Sequence, residues 1–200
     1  VAGNPLKLGR PPTYEDLEAL PEHVVGEILG GELYATPRPS LPHAHTASIL
    51  AGDLGPFQGP GGGGRGPGGW RILVEPELHP GQDVVVPDLA GWRLERMPVY
   101  PSTPYAELVP DWACEVASPS TVHVDRVRKM NICAREGLAH LWLVDPLARV
   151  LEVYRLESGR WVVVLTSGGE DKARAEPFDD VEFDLAHCWP PLAEPEGETP

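Results

Sequence analysis

Apolar and polar positions run in short blocks along the 200-residue chain, and the period of the blocks changes from segment to segment. Thr13 and Asp16 have the spacing of a capping box, which predicts a short helix from Tyr14 to Leu20 that stops at Pro21. Val24–Leu29 and Glu32–Ala35, split by Gly30-Gly31, read as a hairpin. Ala47, Leu50, Ala51 and Leu54 recur at helical spacing and predict a helix over Pro42–Leu54. Strands are expected at Arg71–Leu78, Val84–Trp92 and Asp111–Ala117. The turn Ser118-Pro119-Ser120 can cap a helix from Val122 to Glu136, with Gly137 at its C-terminal end. Leu141–Asp145 follows as a strand, and Val150–Leu156 pairs with Trp161–Leu165 across Glu157-Ser158-Gly159. A strand–helix–strand unit among hairpins implies an α/β (α+β) fold: a mixed sheet flanked by helices, with additional N-terminal and C-terminal hairpins.

Composition places these elements in one domain. The length supports a single core, and 42% apolar with 23% charged residues suits a globular chain. We expect an N-terminal extension over 1–12, a domain over 13–188 and a disordered, acidic, Pro-rich tail over 189–200. The stretch Gly59–Gly69, GPGGGGRGPGG, reads as a flexible loop; without a following Gly-Lys-Ser/Thr it is not a phosphate loop. No apolar run reaches membrane-spanning length and no secretory h-region stands at the start. Cys114, Cys133 and Cys188 are too few and too scattered for a disulfide framework or a zinc-site motif, so the expected location is cytoplasmic. The net charge of −14 argues against broad, non-specific nucleic-acid binding.

Three polar residues do not fit their surroundings. Strand alternation puts Trp112, Cys114 and Val116 on one face and Ala113, Glu115 and Ala117 on the other. A carboxylate between two alanines is either solvent-facing at an edge or buried beside a cation, a metal or a water-filled cleft. Asp88 follows the apolar run Val84-Val85-Val86-Pro87, where a turn is the ordinary role, yet the extended pattern continues through Trp92. Lys129 lies four residues after Asp125, which suits either a surface ion pair or a lysine poised on a buried helix. Glu75 and Glu77, before Asp88, are possible further carboxylates or simply solvated. Of seven histidines, His45 is the one that could reach a site from its helix, with a role outside any site as the ordinary alternative; His43 and His45 diverge and are not a zinc pair. Neither a serine-hydrolase elbow nor a dinucleotide fingerprint is present.

The segment Pro110–Leu156 resembles the Uma2 family. Glu115, Ser118-Pro119-Ser120-Thr121, Asp125, Lys129, Gly137, Trp142, Asp145-Pro146 and Glu152-Val153-Tyr154 stand at the places of that family's pattern. VVVPDLAGW around Asp88 and GEILGGEL over Gly26–Leu33 fit as well, so the resemblance covers about residues 13–188. It implies the restriction-endonuclease-like fold of the PD-(D/E)XK superfamily. One departure matters: the superfamily's lysine, two positions after the strand acid, is Ala117 here, and the resemblance makes Lys129 from the following helix the candidate to replace it. The resemblance implies a magnesium-dependent endonuclease, a hydrolase of phosphodiester bonds with DNA as substrate. Asp88, Glu115 and Lys129 are then catalytic, and Asp88, Glu115 and the Val116 carbonyl hold Mg²⁺ or Mn²⁺. Glu75, Glu77, His45 and Asp125 are candidate accessory residues. A homodimer is expected, because cutting both strands of a duplex takes two sites. The competing readings are an inactive nuclease-fold module that binds protein or nucleic acid, and a hydrolase of small phosphoesters.

Overall fold

The computed structural model describes residues 4–119 and 121–191. A seven-stranded sheet organises the chain in the order β3-β4-β5-β6-β7-β8-β9. Its strands are β3 (Gly59–Pro60), β4 (Gly68–Val74), β5 (Leu89–Arg93), β6 (Trp112–Val116), β7 (His140–Asp145), β8 (Val150–Glu157) and β9 (Arg160–Gly168). Every neighbouring pair is antiparallel except β6 and β7, which run parallel and need a crossover. That crossover is the predicted helix, which starts as an α-turn at Val122–Val124 and ends as an α-helix at Met130–Glu136. Gly137 closes it in the left-handed conformation, with φ 81°.

Two hairpins flank the sheet. β1 (Val24–Leu29) pairs with β2 (Glu32–Pro37), preceded by a helical turn α1 (Tyr14–Glu18) that carries the predicted Thr13/Asp16 capping box. Near the C-terminus β10 (Lys172–Ala173) pairs with β11 (Phe183–Asp184). Helix α2 (Leu41–Asp53) buries Leu50 in the largest core, with Trp70, Trp112, Trp142 and Phe178 from the sheet and the C-terminal segment. Cys114 and Val116 belong to that core, whereas Ala113 packs on the other face with Leu138, Leu141 and Leu143. The alternation expected for β6 is therefore observed, and it aims Glu115 at the crossover helix.

Several boundaries differ from the sequence expectation for identifiable reasons. The strand expected at Arg71–Leu78 leaves the ladder after Val74, because Glu75 adopts φ 47° and its N–H is taken by the Asp88 carbonyl. Val84 and Val85 make only single bridges, to Ile28 and Leu78. Pro87 has no donor to extend them, so regular pairing begins at Leu89. The stretch Gly59–Gly69 is a folded turn: β3 pairs with β4, and Gly62 and Gly68 sit against backbone atoms of Pro56 and Gly61. Residues 4–12 are not a detached extension throughout, since the Leu6 N–H bonds the Leu33 carbonyl. At the other end Trp189 is core rather than tail: it is buried and its Nε1 donates to the Gly169 carbonyl. The expected disordered tail from 192 onward lies outside the described residues. Among the described residues no helix is long and apolar enough to cross a membrane.

Candidate active site

Register brings the two strand acids together. Leu89 faces Cys114 in the β5–β6 ladder, so the residue before one and the residue after the other, Asp88 and Glu115, meet at the ladder's end. Asp88 Oδ2 accepts the Val116 N–H at 2.6 Å, which fixes its carboxylate against β6. The His43 Nε2 approaches the same oxygen at 3.2 Å. Glu115 is 5% exposed, and its oxygens lie 3.2 and 3.3 Å from the Lys129 Nζ.

Lys129 reaches this position through an irregular turn. Asp125–Lys129 form a π-turn inside the crossover helix, and both end residues are buried. Residues four apart share one helix face. Asp125 and Lys129 thus face inward together, with Nζ 3.5 Å from Asp125 Oδ1, while Val127 turns to solvent. Lys129 also meets Glu27 Oε1 at 3.0 Å and the Val86 carbonyl at 3.2 Å. Glu27, buried on β1, accepts the Val86 N–H at 2.8 Å and so joins the hairpin to the sheet.

These residues line one cavity of about 320 Å³, together with Asp88, His43 and Arg38. Five carboxylates line it (Glu27, Glu75, Asp88, Glu115 and Asp125), with one ammonium, one guanidinium and one imidazole. Burial pushes the Glu115 carboxyl well above the usual carboxylate range; Lys129 pulls it back, and Asp125, Asp88 and Glu27 push it further. Burial raises Glu27 and Asp125 for the same reason, against the pull of Lys129. Lys129 itself is lowered by burial but held well above the ordinary lysine value by Glu115, Glu27, Asp125 and Asp88. For His43, burial lowers the imidazole pKa, but Asp88, with help from Asp125 and the Val116 backbone, outweighs it and the net shift is upward.

The donor set fits a hard divalent cation. It is all oxygen on the Asp88–Glu115 side, and the buried acids outnumber the cations. Uncompensated buried negative charge of this kind favours either protonation or a bound cation.

Asp88, Glu115, Asp125 and Lys129 thus come together in the structure, and Glu75 reaches the cavity wall. Glu77 turns elsewhere, accepting from the Tyr14 hydroxyl at 2.8 Å and meeting His79 at 2.7 Å. His45 does not line the cavity; His43, one half-turn earlier on α2, does. Glu27 and His43 line the cavity although the sequence expectation does not single them out as site residues. The signal for Glu27 was the same as for Glu115, an acid inside an apolar strand, VVGEIL. Arg126, Arg128 and Arg135, a basic cluster along the sequence, are each matched to an acid: Glu152, Glu32 and Asp83.

A profile of the Uma2 family, described as "Putative restriction endonuclease", matches residues 11–186. No curated protein matches the chain. Among solved structures, "a putative nuclease belonging to DUF820" from Anabaena variabilis is similar, with a TM-score of 0.70 and 22% identity. The match covers 90% of this chain and 98% of that one, and it establishes a shared fold.

Proposed function

We propose that this chain, which belongs to the Uma2 family, hydrolyses phosphodiester bonds in DNA with Mg²⁺ or Mn²⁺. The observation that carries this reading is the convergence of Asp88 and Glu115 at one ladder end with the Lys129 ammonium 3.2 Å from Glu115. Asp88, Glu115 and the Val116 carbonyl would hold the cation. When bound, it supplies Lewis-acid activation of a water and neutralises charge on the scissile phosphate.

The protein's own groups do the positioning. Asp88 Oδ2 is engaged by Val116 N–H and His43, which leaves Oδ1 for the cation. Lys129, held by three carboxylates, presents a fixed positive charge that favours the attacking water's ionised form and the developing charge on the phosphate. Arg38, at the cavity wall, offers a cation to an adjacent phosphate. With a net charge of −14, binding to DNA is weak outside this site, and the few cations facing a phosphate make its salt dependence shallow. Cutting both strands calls for two copies of the site, so the active form we propose is a homodimer.

Cleavage of plasmid and of labelled single- and double-stranded DNA, with Mg²⁺ or Mn²⁺, tests the reading. Wild type should cut, and Asp88→Ala and Glu115→Ala should not. Equal cutting by all three proteins would mean a contaminant. Metal binding without any cutting would favour the non-catalytic module.

A further inference from the structure

A cluster of side chains of metal-ligating type lies outside the cavity just described. It joins the last residue of α2, Asp53, to the C-terminal 3₁₀ turn Leu185–Cys188. The His187 Nε2 stands 3.0 and 3.2 Å from the two Asp53 oxygens, and the Cys188 Sγ lies 3.9 Å from Asp53 Oδ2. One donor atom from each of the three residues falls within 4.8 Å of the other two, the one such group among the described residues.

The spacing suits a particular cation class. A tetrahedral ion with bonds of about 2.0–2.3 Å sets its ligands roughly 3.3–3.8 Å apart, close to the separations here. Thiolate, imidazole and carboxylate together form a borderline-soft donor set, which favours Zn²⁺ or Co²⁺ over Mg²⁺. The chemistry is therefore unlike that of the all-oxygen set around Asp88. A cavity of about 690 Å³ borders Asp53, His187 and Asp184, so a water has access to a fourth position.

We propose that Asp53, His187 and Cys188 form a zinc-class metal site that clasps the C-terminal turn onto α2. The clasp would reinforce a contact already made by the Thr46 hydroxyl, which donates to the Cys188 carbonyl at 2.7 Å. The bland alternative is an Asp53–His187 ion pair beside a buried thiol, needing no metal.

Titration of the full chain with Co²⁺, followed by absorption, separates the two. One equivalent should produce a sulfur-to-cobalt charge-transfer band and visible d–d bands, and Zn²⁺ but not Mg²⁺ should remove them. Cys188→Ser should abolish the charge-transfer band, and His187→Ala, at an exposed position that folding tolerates, should weaken Co²⁺ by more than about tenfold. Asp88→Ala and Glu115→Ala should leave the band unchanged, so the result stands whatever becomes of the nuclease reading. Absence of the band in wild type, or its persistence in Cys188→Ser, overturns the site.

Discussion

Glu27 Oε1 and Lys129 Nζ stand 3.0 Å apart, one on the N-terminal hairpin and the other on the π-turn of the crossover helix. Both are buried, so each is the other's substitute for water. The contact closes the cavity between two elements that the sheet alone would not join.

Removing the cation should cost more than removing one of its three acids. Lys129→Met leaves Glu27, Glu115 and Asp125 facing one another, and we expect a loss of about 3–5 kcal/mol in urea unfolding. Glu27→Gln keeps the volume and an acceptor for the Val86 N–H, so its cost should be smaller. The double variant should be less destabilised than the two single costs added together. Strict additivity in the double-mutant cycle would show that the pair is not coupled.

How this site could be read from sequence depended on local contrast. Glu115 stood out because β6 is otherwise apolar, and Lys129 because it was one of three lysines with an acid four residues before it. Asp125 and Lys129 share one helix face by their spacing, but the hydrophobic period does not show that this face is the buried one. His43 and His45 could not be ranked, because which of them faces Asp88 depends on how α2 docks on the sheet. Most elements and the pairing of β8 with β9 followed from the patterning, but the order of the strands in the sheet and the strand ends did not. The Glu75 backbone at φ 47° and the single bridges of Val84 and Val85 are set by neighbours distant in sequence.

The glycine-rich turn should behave as a packed feature with position-specific demands. A Cβ on Gly62 would fall 1.9 Å from the Pro56 carbonyl oxygen, and one on Gly68 would fall 2.2 Å from the Gly61 nitrogen. Gly64, at φ 80°, has nothing within 4 Å. Gly64→Ala should therefore cost only the left-handed backbone term, about 1–2 kcal/mol. Gly62→Ala and Gly68→Ala should each cost clearly more by urea midpoint. Equal midpoints for all three would show the segment to be unconstrained.

Acid should act on stability through His140. Burial lowers its pKa below the ordinary 6.5; Arg155 and Arg93 add to this, and Glu176 and a backbone contact with Asp111 oppose it. The folded state therefore binds this proton less readily than the unfolded chain. Its contribution is present above pH 6.5 and is lost as pH falls through the lower folded value. His43 shifts in the opposite sense, so the comparison must be between wild type and His140→Gln. Between about pH 8 and 5, wild type should lose urea stability relative to the variant. Parallel curves would show that His140 has the same affinity for protons in both states.

Divalent cation should report on the Asp88 site even where no cutting is seen. A ligand that binds only the folded chain, present at about 100 times its dissociation constant, adds roughly 2.7 kcal/mol. For a chain of this size that corresponds to a melting temperature higher by roughly 5–11 °C. Mg²⁺ is the informative ion, since the cysteine, histidine and aspartate at the C-terminal turn bind it poorly. Asp88→Ala and Glu115→Ala should each abolish the Mg²⁺ shift. His43→Ala leaves both carboxylates in place and loosens only the support of Asp88 Oδ2, so it should weaken Mg²⁺ by about 10–100-fold and still allow the full shift at higher concentration. A Mg²⁺ shift that survives in Asp88→Ala would place the cation elsewhere and detach Asp88 from the chemistry.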